Sequence, residues 1–137
     1  MVMKCVMVIN ADLPTGLIAN TAAVLALTLG KEIEGIIGPT VKDGSGHSHT
    51  GITTTPIPIL KGDAKKLKEL RSTLYDEEFS DLLVVDFSNA AQSTNSYEEY
   101  TDKISTFTEH DLEYLGIAIY GAKKKVNKLT GSLGLLR

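Results

Sequence analysis

The sequence predicts an α/β domain with helices on both faces of a mostly parallel sheet, and three observations carry that reading. Short runs rich in valine and isoleucine, such as KCVMVI (Lys4–Ile9) and DLLVVDF (Asp81–Phe87), have the composition of strands buried on both faces. Stretches with helical spacing of apolar residues separate these runs. The 137 residues, 42% hydrophobic and 23% charged, fit one domain spanning 1–137 around one core. No repeat, linker or low-complexity segment divides them.

The first strand, Lys4–Ile9, ends at NADLPTG, a turn cluster of Asn, Asp, Pro and Gly. LIANTAAVLALTLG follows with helical periodicity and closes at Gly30, a natural left-handed cap. Its stripe of Ala19, Ala22, Ala23 and Ala26 is small enough to let the helix lie close against a sheet. Gly35 to Thr55 is irregular, with short extended pieces expected around Ile36–Val41 and Gly51–Thr54. TPIPIL (Thr55–Leu60) alternates proline with isoleucine, and because proline donates no ladder hydrogen bond this strand belongs at a sheet edge. GDAKKLKELRSTLY predicts a helix with Asp63 as N-cap and Leu67, Leu70 and Leu74 on one face.

After the strand Asp81–Phe87, Ser96 and Glu99 stand at capping-box spacing. They precede a helix whose apolar face is Tyr97, Tyr100, Ile104 and Phe107. TEHDLEYLG repeats the device with Thr108, Asp111 and a terminal Gly116, and GIAIYG is a fourth strand. VNKLTGSLGLL reads as a Thr-Gly turn between short apolar arms. The resulting order is strand, helix, strand, helix, strand, helix, helix, strand.

The formal charge of −3 gives no general affinity for polyanions. Two local basic stretches, Lys65–Arg71 and Lys123–Lys128, read as solvated faces, so nucleic-acid binding is not expected. The lone cysteine, Cys5, sits inside the first apolar run; it can form no internal disulfide and suits a buried thiol in a reducing compartment. MVMKCVMVIN is too short, and too abruptly followed by Asp12, for a signal peptide or a membrane span. A cytoplasmic protein without membrane contact is the expectation.

Chemistry is expected beyond the carboxyl ends of the strands, where polar loops converge. Asn10, Asp12, Thr15 and Gly16 follow the first strand, with Gly16 at a helix start whose free N–H groups suit an anion. Asp86, Ser88, Asn89 and Gln92 follow the third. If the two strands are neighbours, the sets face one another as ligand-binding residues across one cleft; otherwise Asp12 and Thr15 cap the helix and the second set is an ordinary polar loop.

VKDGSGHSHTGI (Val41–Ile52) carries His47 and His49, two of the three histidines, in a loop of glycine, serine and aspartate. A His-x-His pair supplies at most two of the roughly three or four ligands of a zinc site, and Asp43 could add one and Asp12 or Asp86 another. With no His-x-x-Glu-His, Cys pair or third histidine nearby no metal is expected, while Asp43 joins the ligand-binding candidates. His47 or His49 reaching Asp86 would make an acid–base pair, and these three are the catalytic candidates. A solvated, glycine-softened loop is the competing reading.

KCVMVINADLPTGLIANTAAVLA is similar in layout to the opening of type-II peptidyl-tRNA hydrolases: apolar strand, Asp-Leu, glycine, Ala-rich helix. VNKLTGSLGLLR resembles that family's closing turn, and LVVD with its polar loop resembles the strand carrying an aspartate. A closer resemblance is to the uncharacterised bacterial family domain of unknown function two thousand. Its pattern recurs in DGSGHSHTGI, VVDFSNAAQ, YEEY and GAKKKVNKLTGSLGLLR. The resemblance implies a peptidyl-tRNA hydrolase type-II-like fold, a three-layer α/β/α sandwich with a mixed sheet of about four strands, one edge strand antiparallel. It also implies frequent homodimers.

The hydrolase activity does not carry over. That family's pattern after Asp-Leu runs Gly-Lys-x-Ala-Ala-Gln-x-x-His-Ala. This chain has Leu17 at the lysine, Val24 at the histidine, and Ala90 where a threonine is expected four residues after the strand aspartate; only Asp86 matches. Leucine and valine neither pair with phosphate nor move a proton. The expected function is therefore binding of a small polar ligand without a cofactor. The alternatives are a hydrolase using a loop histidine with Asp86, and a dimeric interaction module anchored by Tyr97, Tyr100 and Tyr114.

Overall fold

The computed structural model describes residues 2–137. Four strands form its sheet: β1 (Met3–Asn10), β4 (Ile59–Gly62), β5 (Leu83–Ser88) and β6 (Tyr114–Ala122), in the order β4-β1-β6-β5. β1 and β4 pair in parallel, whereas β6 runs antiparallel to both β1 and β5. Three strands therefore point one way and one against them, the mixed sheet that was expected. The opposed strand sits inside the sheet, which corrects the expectation of an antiparallel edge. Because β6 separates β1 from β5, the polar loops that follow those two strands are not on neighbouring strands.

Alternation along β1 sets the layers. Val6 and Val8 join Ile117 and Ile119 of β6 beneath Leu67, Leu70 and Leu74 of α2 (Ala64–Leu74) and Val126 of α5 (Lys123–Thr130). Cys5, Met7 and Ile9 face the other way, against Leu25 and Leu29 of α1 (Thr15–Glu32). Helices thus cover both faces of one sheet, and each wholly buried aliphatic side chain contributes about 1.5–3 kcal/mol of transfer free energy. The α2 signals hold in detail: Asp63 accepts from the Lys66 amide at 2.8 Å, and the three leucines are buried.

At the end of β5 the register breaks, with Phe87 opposite Gly116 and Ser88 opposite Tyr114, leaving Leu115 as a bulge. At Gly116 α1 comes close to the sheet: a Cβ there would lie 2.6 Å from Thr21 Cγ2. The tight helix–sheet contact is therefore made by Thr21 and Leu25. Ala19, Ala23 and Ala26 lie exposed on the outer side of α1, contrary to the expectation from the alanine stripe.

Other local expectations change with context. α1 runs through Gly30 to Glu32, and the left-handed glycines are Gly35 and Gly46. Its N-cap is Pro14, with no side-chain cap from Asp12 or Thr15. TEHDLEYLG forms no helix: Asp111 caps the Thr108 amide at 2.8 Å as expected, but the chain then straightens and enters β6 at Tyr114. The basic stretch Lys123–Lys128 lies in α5, with Lys125 bonded to Asp81 at 2.9 Å.

Residues 33–58 leave the sheet at the end where β1 begins. Within them β2 (Val41–Lys42) and β3 (Ser48–His49) form a two-stranded ribbon. α4 (Tyr97–Ser105) follows the short α3 (Asn89–Gln92); it keeps the Ser96 cap but buries none of its residues. Among the described residues, no helix is long and apolar enough to cross a membrane.

Candidate functional site

Asp43 is the organising residue of the histidine segment. Its Oδ1 accepts from the amides of Ser45 and His47 at 2.9 and 3.0 Å, and its carbonyl accepts from Gly46, whose φ of 83° supplies the reversal. His49 Nε2 meets Asp43 Oδ2 at 2.8 Å, and His47 Nδ1 stands 3.9 Å from the same oxygen. These bonds hold the Asp43 carboxyl below its ordinary range, the His49 contact contributing most.

Both histidines are exposed on the ribbon and partnered there, so neither reaches Asp86. The expected His–Asp86 pair is not formed. The physical reason is topological: α1 carries the chain back to the start of β1 before the ribbon begins, whereas Asp86 lies towards the far end of β5. Among the described residues, no group of three or more His, Cys, Asp or Glu side chains is arranged to hold a metal ion.

Asp86 has a different partner. Arg71, on α2, donates from Nε to Asp86 Oδ2 at 3.0 Å, and both side chains are largely buried. The guanidinium lies 4.2 Å from the centre of the Tyr75 ring, a cation–π contact that fixes its plane. Tyr100 and Tyr114 stand close enough to Asp86 for its charge to raise both phenols, although burial is the larger cause in each. Ser88 Oγ and Tyr114 Oη, on paired residues of β5 and β6, are buried and have no hydrogen-bond partner among the described residues. A buried hydroxyl left without a partner costs about 1–3 kcal/mol.

An open cleft of about 530 Å³ lies beside this cluster. Val24 and Thr28 of α1 form one wall, and Tyr97 and Tyr100 of α4, with Thr94 and Asn95 before it, form the other. Its floor is Val85, Asp86 and Phe87 of β5. Side chains alternate along a strand, so three consecutive floor residues mean that the outer backbone edge of β5 is itself exposed in the cleft. The Tyr97 and Tyr100 rings meet edge to face, with centroids 5.6 Å apart.

The remaining candidates are dispersed. Asn10 Oδ1 accepts from the Asp12 amide at 2.9 Å in a local turn, while Asp12, Thr15 and Gly16 are exposed at the start of α1. Asn89 clamps the return to β6, donating to the Asp111 carbonyl at 3.2 Å and accepting from the Glu113 amide at 3.1 Å. Gln92 is exposed on α3, and Ser88 is buried. Tyr114 is only 3% exposed, which removes it as a surface anchor.

Sequence reasoning found Asp86 but missed Arg71. A signal was present: Leu67, Leu70, Arg71 and Leu74 occupy i, i+3, i+4 and i+7, which places a charge on the margin of an apolar stripe.

A family model described as a protein of unknown function, DUF2000, matches residues 3–137. Among solved structures, a protein of unknown function from Agrobacterium tumefaciens is similar, with 20% identity and a TM-score of 0.85, over 97% of this chain and 96% of that one. At that identity the likeness establishes the fold alone. No curated protein matches the sequence.

Proposed function

The chain belongs to the family described as protein of unknown function DUF2000, and from that premise we propose that it binds a small polar ligand between α1, β5 and α4, without hydrolase chemistry. The observation that carries the reading is the setting of Asp86. It lines the cleft, its Oδ2 is held by Arg71, and among the described residues no side chain bonds its Oδ1. The exposed β5 edge at Asp86, beside aromatic and apolar walls, suits a ligand with a hydroxyl, amine or amide N–H at one end and a flat or apolar body.

Val24 supports the absence of chemistry. It lines the same cleft as Asp86, and it is the position at which the resemblance to type-II peptidyl-tRNA hydrolases calls for a histidine. On this reading the space has been retained while the proton-transferring side chain has been replaced by an apolar one. Leu17, at the lysine position, packs partly buried with the α1-side core and presents no charge to a phosphate. A cytoplasmic setting belongs to the same proposal, resting on one buried cysteine that remains a free thiol.

Thermal-shift measurements with millimolar amino acids, dipeptides and small hydroxylated amines test the proposal. A compound that binds the folded state raises the melting temperature by mass action. The expected result is stabilisation of the natural protein by at least one class, abolished by Asp86→Asn and weakened by Tyr100→Ala. Stabilisation that persists in Asp86→Asn, or turnover of a peptidyl-tRNA substrate, overturns it.

A further inference from the structure

Arg71 and Asp86 are joined by a single bond, and each keeps polar atoms uncommitted. Arg71 gives its Nε to Asp86 Oδ2 at 3.0 Å, and among the described residues nothing accepts from its two Nη groups. The side chains are 16% and 22% exposed. Among the described residues the buried unpartnered side-chain atoms are Ser88 Oγ and Tyr114 Oη, so the Arg71 Nη groups and Asp86 Oδ1 reach solvent. The Tyr75 ring covers one face of the guanidinium at 4.2 Å and leaves its edge free. A guanidinium held in one plane with its fork open matches a carboxylate, which takes two parallel N–H bonds from it.

This pair stands on one side of the open β5 edge, and the apolar wall of the cleft stands on the other. Val85 and Phe87 turn towards the α1 core, whereas Asp86 turns towards α2. Tyr100 joins the two sides: it lines the cleft, and its phenol is raised by burial and then by the nearby Asp86 charge.

We infer that the ligand is a free α-amino acid with an apolar or aromatic side chain, its carboxylate on the Arg71 Nη groups, its ammonium on Asp86 Oδ1 and its side chain over the β5 edge against Tyr100. The inference rests on the reading of Asp86 as a ligand contact and narrows that reading to one chemical class. Charge selects the class. A lone anion at Arg71 is repelled by the Asp86 carboxylate, and a lone cation at Asp86 is repelled by the guanidinium. A zwitterion satisfies both. The two charged groups of an α-amino acid hang from one carbon, a short spacing that suits charges themselves joined by a 3.0 Å bond.

Calorimetric titration of the full chain with L-phenylalanine and L-leucine tests this. Three analogues of phenylalanine accompany them: phenethylamine lacks the carboxylate, hydrocinnamate lacks the amine, and phenylalanine amide lacks the negative charge. At least one amino acid is expected to bind, and the analogues of phenylalanine are expected to bind about tenfold more weakly or worse. Arg71→Lys keeps a cation beside Asp86 but removes the fork. With its circular dichroism unchanged, it is expected to weaken the amino acid by about tenfold and to leave phenethylamine as it was. Should that variant fail to fold, the analogue series on the natural protein decides alone. Phenethylamine bound as tightly as phenylalanine, or an amino acid held equally by Arg71→Lys, overturns this inference and leaves the cleft reading standing. So does failure of both amino acids when a hydroxylated amine binds through Asp86. Failure of every compound overturns both.

Discussion

The two edges of the sheet are treated in opposite ways. At the β4 edge the end of the chain closes the ladder: Lys61 donates to the Gly134 carbonyl at 2.8 Å, Leu136 donates to the Ile59 carbonyl at 2.9 Å, and Leu60 bridges Leu135. Leu133 and Leu136 then pack partly buried on the two cores. At the β5 edge no strand is added among the described residues. Leu83 to Asp86 remain partly exposed, and α4 stands across a cleft from them without burying a residue. An open edge invites wrong pairing, and folded proteins usually cover it. This chain covers one edge with its own tail and leaves open the one that carries its charged pair.

Removing residues 132–137 should break the contrast most strongly. Two backbone hydrogen bonds to β4 and two half-buried leucines are among what is lost, so urea unfolding is expected to show a loss of about 2–4 kcal/mol, with concentration-dependent association through the bared β4 edge. A stability change within error would mean that the tail does not seal the edge.

Asp86→Ala acts on the open side. It leaves the largely buried Arg71 guanidinium unpaired and is expected to cost about 2–3 kcal/mol. Asp81→Ala, which removes the exposed partner of Lys125, serves as the control and is expected to show no measurable change. Equal effects from the two substitutions would contradict the buried character of the Arg71–Asp86 pair.

Tyr114→Phe sharpens the comparison by deleting a buried hydroxyl that lacks a partner. Stability is expected to hold or to rise by up to about 1 kcal/mol. A loss larger than that would reveal a hydrogen bond to Tyr114 in solution.

The smallest effect is a rate. Burial pushes the Cys5 thiol up to about 11, so the thiolate needed for alkylation is scarce below that pH. Iodoacetamide at pH 8 is expected to label the folded protein slowly, with the rate rising towards pH 11. Because β1 is the strand that pairs with β4, tail removal should speed labelling at pH 8, whereas Tyr114→Phe should not. An identical rate in the natural and truncated proteins would uncouple Cys5 from the sealed edge.

Much of this could be read locally. The apolar run at Lys4–Ile9 became β1, the Leu67-Leu70-Leu74 spacing became the buried face of α2, and Asp63 and Ser96 cap the helices they precede. Each of these depends on residues within a few positions of one another. The proline-marked segment did reach a sheet edge as β4, although its strand begins at Ile59, after the second proline. By contrast, Thr108–Gly116 carried two helix signals yet ends in β6, because pairing with β1 and β5 outweighs a single cap. VNKLTGSLGLL reads locally as a turn between short apolar arms, yet Lys123–Thr130 is helical because Val126 and Thr130 have a core to enter.

The candidate site divides in the same way. Asp86 was visible as a charged residue closing an apolar strand, and Asp43 as part of a turn-forming loop. Their partners were not visible, because Arg71 and His49 are chosen by where α2 and the ribbon lie in space. The sequence by itself determined the faces of the strands and helices, the caps, and the absence of a histidine at position 24. Only the tertiary structure decided that β6 enters between β1 and β5, that Asp86 meets Arg71 and not a histidine, and which sheet edge stays open. Periodicity and capping are local energies that short segments already carry, whereas strand order and ion pairing depend on contacts between distant residues that exist only once the chain has closed.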